Sequence, residues 1–535
     1  MNSRSAILST LYAITIFLSA LASAPPASAQ GLEPATLLNP PTDTWPTYNG
    51  DYSGRRYSTL DQINAGNVSS LTLAWIYRTP THVLKSTPLV VNGIMYFTSP
   101  DHVWAIDAKF GRQIWHYQRK SEGDHIGHRG VAMYKDWIFV ESPDAHLICL
   151  NAKDGTVRWD VVLADEKLGY FATMAPLVVK NHIIAGVSGD VTDIPGFLVS
   201  IDPETGAEQW KWFTAPKPGE PGSETWPKDS DAITHGGGMT WMTGTYDPNL
   251  NLLYWGTGNP NPVLAGEGRP GDNLYTCTIV ALDPDTGKLV WHFQPSPHDV
   301  HDWDAVQTPV LFDSEFKGKP RKLLAQASRN GFYFLLDRTN GQHLATAPFI
   351  DQTWASGIDA KGRPIAKPSA TPAPDGTLVE PGSDGSTNWM APSFDPQTNL
   401  FYVNARRIFS IYYNTVDKTK PEGWGGRDRN LWANSTIRAL DYKTGKVIWN
   451  HEIGEDESIS GILTTAGHLL FTADTSHNLL ALDPATGKTL WHLNMGGPLL
   501  ASPMTYMLDG RQYLMIPIYD TLYAFSLPER PAKTN

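Results

Sequence analysis

One pattern recurs seven times and limits what this chain can fold into. It reads AIDAKFGRQIW (Ala105–Trp115), CLNAKDGTVRW (Cys149–Trp159), SIDPETGAEQW (Ser200–Trp210), ALDPDTGKLVW (Ala281–Trp291), LLDRTNGQHLA (Leu335–Ala345), ALDYKTGKVIW (Ala439–Trp449) and ALDPATGKTLW (Ala481–Trp491). Gly follows Asp or Asn at an offset of four and Trp at eight, except that Ala345 replaces Trp in the fifth copy. An apolar, β-branched run leads into each copy, which gives strand, turn, strand. The Asp closes the turn on backbone amides and the Gly takes the positive-φ position. The Trp opens an outer strand and can pack against a neighbouring sheet. Units of about four strands cannot bury both faces alone, so they stack around an axis. The expected fold is therefore all-β, an eight-bladed β-propeller with tryptophan-docking motifs. The eighth outer strand comes from NVSSLTLAWIYRT around Trp75, pairing with RQYLMIPI and TLYAFSL at the other end of the chain.

Charged residues make up only 18% of the chain, which suits a large buried core. The net charge of −12 argues against a nucleic-acid partner, which needs a basic face. At the N-terminus, Arg4, the apolar run from Ala6 to Leu21 and Ala27-Ser28-Ala29 read as an export signal over residues 1–29. The mature chain is then a single domain over 30–535, starting near Gln30, without a membrane span; an uncleaved anchor is the alternative. Cys149 and Cys277 read as buried free thiols, and without CxxCH the chain cannot attach its own c-type haem.

The longest gaps between copies, Asp202 to Asp283 and Asp337 to Asp441, hold Gly- and Pro-rich insertions that can cover one face of the propeller. After the fourth copy, PHDVHDWD (Pro297–Asp304) crowds His298, Asp299, His301, Asp302 and Asp304 together. Other departures from the repeat are HGGGMTW (His235–Trp241), YWGTGNPNP (Tyr254–Pro262), RPGDNLYT (Arg269–Thr276), SRNGFYFLLDR (Ser328–Arg338) and STNWMAPSFDP (Ser386–Pro396).

With the repeat, these motifs resemble the pyrroloquinoline quinone (PQQ)-dependent alcohol dehydrogenases related to methanol dehydrogenase, over nearly the whole mature chain. The resemblance implies that Trp241 is the floor under the quinone and Asp302 the catalytic base and a metal ligand. It also implies that Arg329 faces the quinone carbonyls and acts in catalysis, and that Asn259 ligates the metal. Asn388, Arg129, Thr173, Ser142, Ser188 and Gly189 would contact the cofactor. Turn and surface roles remain the bland alternatives for Arg129, Thr173, Ser142 and Asn259.

Three departures stand out. GDHIGHRG has no adjacent cysteines to cap the quinone, so His125, His128 or Ile126 takes that place. Lys85 stands where the family often has Glu, and can pair with a cofactor carboxylate as a point charge. Val191 stands where the family has a metal-ligating Glu, which leaves Asp190 or Asp193 as substitutes. Asp304 occupies the position of an extra Asp typical of lanthanide-using relatives, and hard cations want such oxygen-rich coordination. The expected cofactors are PQQ and Ca²⁺, with a lanthanide as the alternative metal. The expected reaction is periplasmic oxidation of an alcohol, with electrons passed to an external acceptor such as cytochrome c. The alternatives are a sugar or polyol substrate, a non-enzymatic assembly propeller, and a member that has lost its cofactor.

Overall fold

The computed structural model describes residues 31–81, 83–123, 126–189, 193–414 and 423–528. The leader expected at 1–29, together with His125, Asp190 and Val191, lies outside the described residues. Among the described residues, eight sheets of four or more strands follow one another, with a two-stranded hairpin, Ala355–Ile358 with Pro364–Ala366, between two of them. The first sheet is Leu89–Val91, Ile94–Ser99, His102–Asp107 and Gln113–Gln118. The fourth is Thr245–Asp247, Leu252–Gly256, Ile279–Leu282 and Leu289–Phe293. Neighbouring strands within each of these two are antiparallel, with sequence-adjacent strands side by side.

The eighth sheet joins the two ends of the chain. Thr72–Arg78 pairs with Thr521–Ser526, setting Trp75 opposite Ala524. Tyr57–Ser58 likewise adds a parallel strand to Leu463–Thr465.

The repeat explains how successive sheets hold each other. Within each turn the Asp carboxylate accepts backbone amides: Asp283 takes Asp285 and Thr286, and Asp483 takes Ala485 and Thr486. The Trp Nε1 of one sheet then donates to a carbonyl in the next sheet's turn. Trp75 bonds Ala108 at 3.0 Å, Trp115 bonds Ala152 at 2.9 Å, Trp210 bonds Pro284 at 2.8 Å and Trp449 bonds Pro484 at 3.0 Å. The turn glycine makes room for that indole. A Cβ on Gly111, Gly287 or Gly487 would lie 2.6 Å from Trp75, Trp210 or Trp449 respectively.

Tyrosines reinforce several of these links. Tyr506, Tyr96 and Tyr402 donate to the same carbonyls of Ala108, Ala152 and Pro484. Where Ala345 replaces the Trp, Tyr333 bridges to the next turn, its hydroxyl donating to the Tyr442 carbonyl at 2.9 Å. The apolar core is correspondingly split into clusters between sheets. Cys149 and Cys277 are both buried free thiols. No helix among the described residues is long and apolar enough to cross a membrane.

Candidate active site

The loop after Leu289–Phe293 carries Asp302 and Asp304, and Arg329 follows Lys319–Ala327 in the next sheet. Asp302 sits in the left-handed region at φ +67°, which Asp tolerates better than most residues. That turn aims both its carbonyl and its carboxylate at Arg329. Arg329 Nη1 donates to the Asp302 carbonyl at 2.8 Å and to Oδ2 at 3.0 Å. Its Nη2 lies 3.3 Å from Asp304 Oδ2 and donates to Asn388 Oδ1 at 3.3 Å. One planar cation therefore spans both acids and the amide, a geometry suited to guanidinium and not to ammonium.

Asp304 is fully buried. Its Oδ2 accepts Trp241 Nε1 at 2.8 Å and its Oδ1 accepts the Asn259 backbone N–H at 2.6 Å. Burial pushes its carboxyl above the usual range, against the opposing pull of Arg329 and those two donors. The insertions supply its partners. In HGGGMTW, Gly238 N–H donates to the Asn259 carbonyl at 2.7 Å, and Gly258 N–H donates to Met239 at 2.8 Å. Gly237 has φ +85°, and a Cβ there would meet the Asn259 carbonyl oxygen at 2.4 Å. Only glycine lets this loop pass so close, which is how Trp241 and Asn259 come to share one carboxylate.

A second set joins through Trp241. The Arg129 guanidinium carbon lies 4.7 Å from the Trp241 ring centroid, within cation–π range. Arg129 also donates to the Thr173 hydroxyl and carbonyl, and the Thr173 hydroxyl lies 3.2 Å from that of Ser188. Ser188 pairs with Phe171 through the backbone, which places Gly189 next in the chain. Lys85 Nζ and the Arg129 guanidinium both face Trp389, at 5.8 and 5.9 Å from its ring centroid. Ser142 is buried, with its hydroxyl turned to the Asp144 carboxylate at 2.5 Å. Asp193 accepts the Gly423 N–H at 3.0 Å. His128 is buried with Nδ1 against the Thr98 hydroxyl at 2.8 Å, whereas Ile126 is exposed.

The remaining members of the HDVHDWD stretch shape the loop. Asp299 Oδ2 accepts the Trp303 N–H at 3.1 Å, and burial raises its carboxyl to about 6. His301 stacks on Trp303 at 4.1 Å and donates to the Ala370 carbonyl; burial lowers its imidazole to about 4. His298 donates to the Gly271 carbonyl at 2.9 Å.

Three contributors were not picked out from the sequence. Arg269 is fully buried and donates to the carbonyls of Pro262, Val263 and Asp299, tying the Asn259 loop to the Asp302 loop. Glu141 is fully buried, accepting the N–H groups of Met174 and Gly186, so it fixes the backbone beside Thr173. Burial drives its carboxyl well above the ordinary range. Trp389 is the third. Arg269 and Trp389 lie inside motifs that depart from the repeat, and Trp389 is outside the repeat register as Trp241 is, whereas Glu141 ends the strand Trp137–Glu141.

Two indoles, two cations and the Asn388 amide make a site for a flat anion carrying carbonyl groups. Asp302, Asp304 and the Asn259 amide offer an oxygen donor set suited to a hard cation. Among the described residues, no group of three His, Cys, Asp or Glu could hold a metal by itself.

Comparison with known proteins agrees. Residues 45–348 and 451–514 match the family described as PQQ, glucose/ethanol/alcohol dehydrogenase, β-propeller domain. The quinohemoprotein alcohol dehydrogenase of Comamonas testosteroni is 37% identical over 515 residues, covering 89% of this chain and 73% of that protein. Quinoprotein alcohol dehydrogenase PedH of Pseudomonas putida is 35% identical over 546 residues, covering 95% and 91%. A solved europium-containing methanol dehydrogenase superposes with a TM-score of 0.83 at 29% identity, covering 92% of this chain and 99% of that one. The repeat, the converging insertions and these relatives lead to one assignment: the chain belongs to the PQQ-dependent quinoprotein alcohol dehydrogenase family and carries its β-propeller domain.

Proposed function

We propose that this protein is a periplasmic PQQ-dependent alcohol dehydrogenase, built as one eight-bladed propeller over residues 30–535 after removal of a 29-residue leader. The observation that supports the reading most directly is the Arg329 guanidinium spanning Asp302 and Asp304 beside Trp241. Lys85, Arg129, Thr173, Ser188, Gly189, Trp241, Asn388 and Arg329 hold the cofactor, with Ser142 supporting from its turn. Asn259, Asp302, Asp304 and Asp190 hold the cation.

PQQ supplies a two-electron acceptor when bound, and the cation supplies a Lewis acid. The chain's own residues do the rest. Asp302 Oδ2, held by Arg329 Nη1, accepts the proton of the alcohol hydroxyl. Arg329 Nη2, shared between Asp304 and Asn388, would supply a fixed positive charge to a bound carbonyl group beside Trp241. Trp241 fixes the plane of the site, and its bond to Asp304 locks the indole in place. Electrons leave to an external acceptor such as a soluble cytochrome c.

Ca²⁺ is the proposed cation. A second reading, a lanthanide, is favoured by one feature: Asp304 adds a buried carboxylate two residues from the part-buried Asp302. Asp302→Asn keeps the shape and the left-handed backbone but removes the base. It should lower dye-linked alcohol oxidation by roughly a hundredfold or more while the circular dichroism spectrum and melting temperature stay near those of the parent. Undiminished activity in this variant would sink the assignment of the base.

A further inference from the structure

The first sheet carries a pair of histidines that the quinone site does not use. His102 opens the strand His102–Asp107, and His116 lies in the next strand, Gln113–Gln118. The register sets Trp104 opposite His116 and His102 opposite Gln118. Side chains alternate between faces with a period of two, so His102, Trp104 and His116 point to the same side of the sheet. His102 Nδ1 and His116 Nε2 lie 2.9 Å apart.

One indole fixes both rings. Trp104 is buried and stacks on Phe97. His102 and His116 in turn stack on Trp104, with ring centroids at 5.2 and 4.8 Å and interplanar angles of 9° and 3°. The two imidazoles are therefore nearly parallel, 6° apart, before any ligand arrives. Both are half-buried, and burial lowers each below its ordinary value, so at pH 7 both are neutral and each keeps a lone pair. The neighbouring Asp101 carboxylate accepts the Ser121 N–H and hydroxyl.

Metal–imidazole bonds are about 2.0–2.1 Å long, so two nitrogens 2.9 Å apart would meet a shared ion at an angle of about 90°. That is the cis angle of a tetragonal site, the geometry of Cu²⁺ and Ni²⁺. The hydrogen now shared between the rings belongs to one of them. It moves to that ring's other nitrogen, so both rings stay neutral and chelation releases no proton. The exposed side of the pair leaves water to complete the coordination.

We propose that His102 and His116 chelate a divalent transition metal of the copper and nickel class, at a site that shares no residue with the oxygen donors around Asp302. Imidazole nitrogen favours such an ion over Ca²⁺, which takes oxygen ligands. The pair stands whether or not the chain is loaded with quinone.

The test adds Cu²⁺ to the full chain loaded with PQQ and Ca²⁺, and to its His102→Gln and His116→Gln forms. Bound copper is counted by equilibrium dialysis, and its ligands are read by electron paramagnetic resonance. The parent chain should bind one Cu²⁺ at least roughly tenfold more tightly than either variant, since losing even a supporting partner of a ligand costs that much. The parent signal should show coupling to two imidazole nitrogens, and both variants should lack it. Excess Ca²⁺ should leave this copper in place, and the chain without PQQ should bind it equally well. Equal copper affinity in the parent chain and both variants overturns the site. If the variants do not fold, the parent chain decides: bound copper without coupling to two nitrogens overturns it.

Discussion

Asp304 serves three partners from the interior: the Trp241 indole, the Asn259 backbone and Arg329. Removing its oxygens leaves the Trp241 indole N–H and the Asn259 backbone N–H without that acceptor and takes one of two acids from Arg329, and each orphaned buried donor costs about 1–3 kcal/mol. Asp304→Ala should therefore lose roughly 2–5 kcal/mol in urea unfolding, and Asp304→Asn less, because the amide keeps one acceptor. Equal stability of Asp304→Ala and the parent chain would show that this network is not formed. Asp302, Asp304, Arg329 and Trp241 stood out in the sequence because they lie in motifs that interrupt the repeat. The Asp304–Asn259 contact did not, since 45 residues separate the two and only the folded insertions bring them together.

Trp and Gly act across sheets as a pair. Gly287 has φ +69° and faces the Trp210 ring, whereas Gly318 has φ +75° and no atom within 4 Å of its virtual Cβ. Both substitutions to Ala incur the left-handed strain of about 1 kcal/mol, but only one also collides with an indole. Gly287→Ala should thus destabilise by roughly 2–4 kcal/mol and Gly318→Ala by about 1, seen as unequal drops in melting temperature. Equal drops would mean that the Trp link carries no packing constraint. The Asp-Gly-Trp offsets made these turns legible from sequence alone. The tyrosines of the same links were not legible, because they occupy strand positions where aromatic residues are common. Tyr333 shows this most clearly: it spans the link that Ala345 cannot make, and no local pattern marks it.

Acid sensitivity belongs to the whole molecule, because buried histidines are distributed through it. Burial lowers His128 to about 3 and His301 to about 4, from an ordinary 6.5. The unfolded chain binds these protons first, so their contribution is fully present above about pH 6.5. It is lost as pH falls from there through the folded values. Asp299, raised to about 6, acts in the opposite sense: its contribution is present at low pH and lost as pH rises from about 4 through 6. A variant difference isolates the histidine. The stability gap between the parent chain and His301→Gln should shift against the parent as pH drops from 7 to 4, by an upper bound of roughly 3 kcal/mol. A gap independent of pH would contradict a buried neutral His301.

The sequence by itself determined the repeated sheet, its turns and the family, because a short pattern of Asp, Gly and Trp expresses local backbone chemistry and recurs. It also marked the segments that leave the repeat as the place for chemistry. Which side chains meet there was decided by the tertiary structure. Arg329 spans Asp302 and Asp304, Arg269 ties two loops together, and Lys85 shares Trp389 with Arg129. These are contacts between loops from different sheets, set by glycine-permitted close approach and burial, and no local pattern in the chain encodes them.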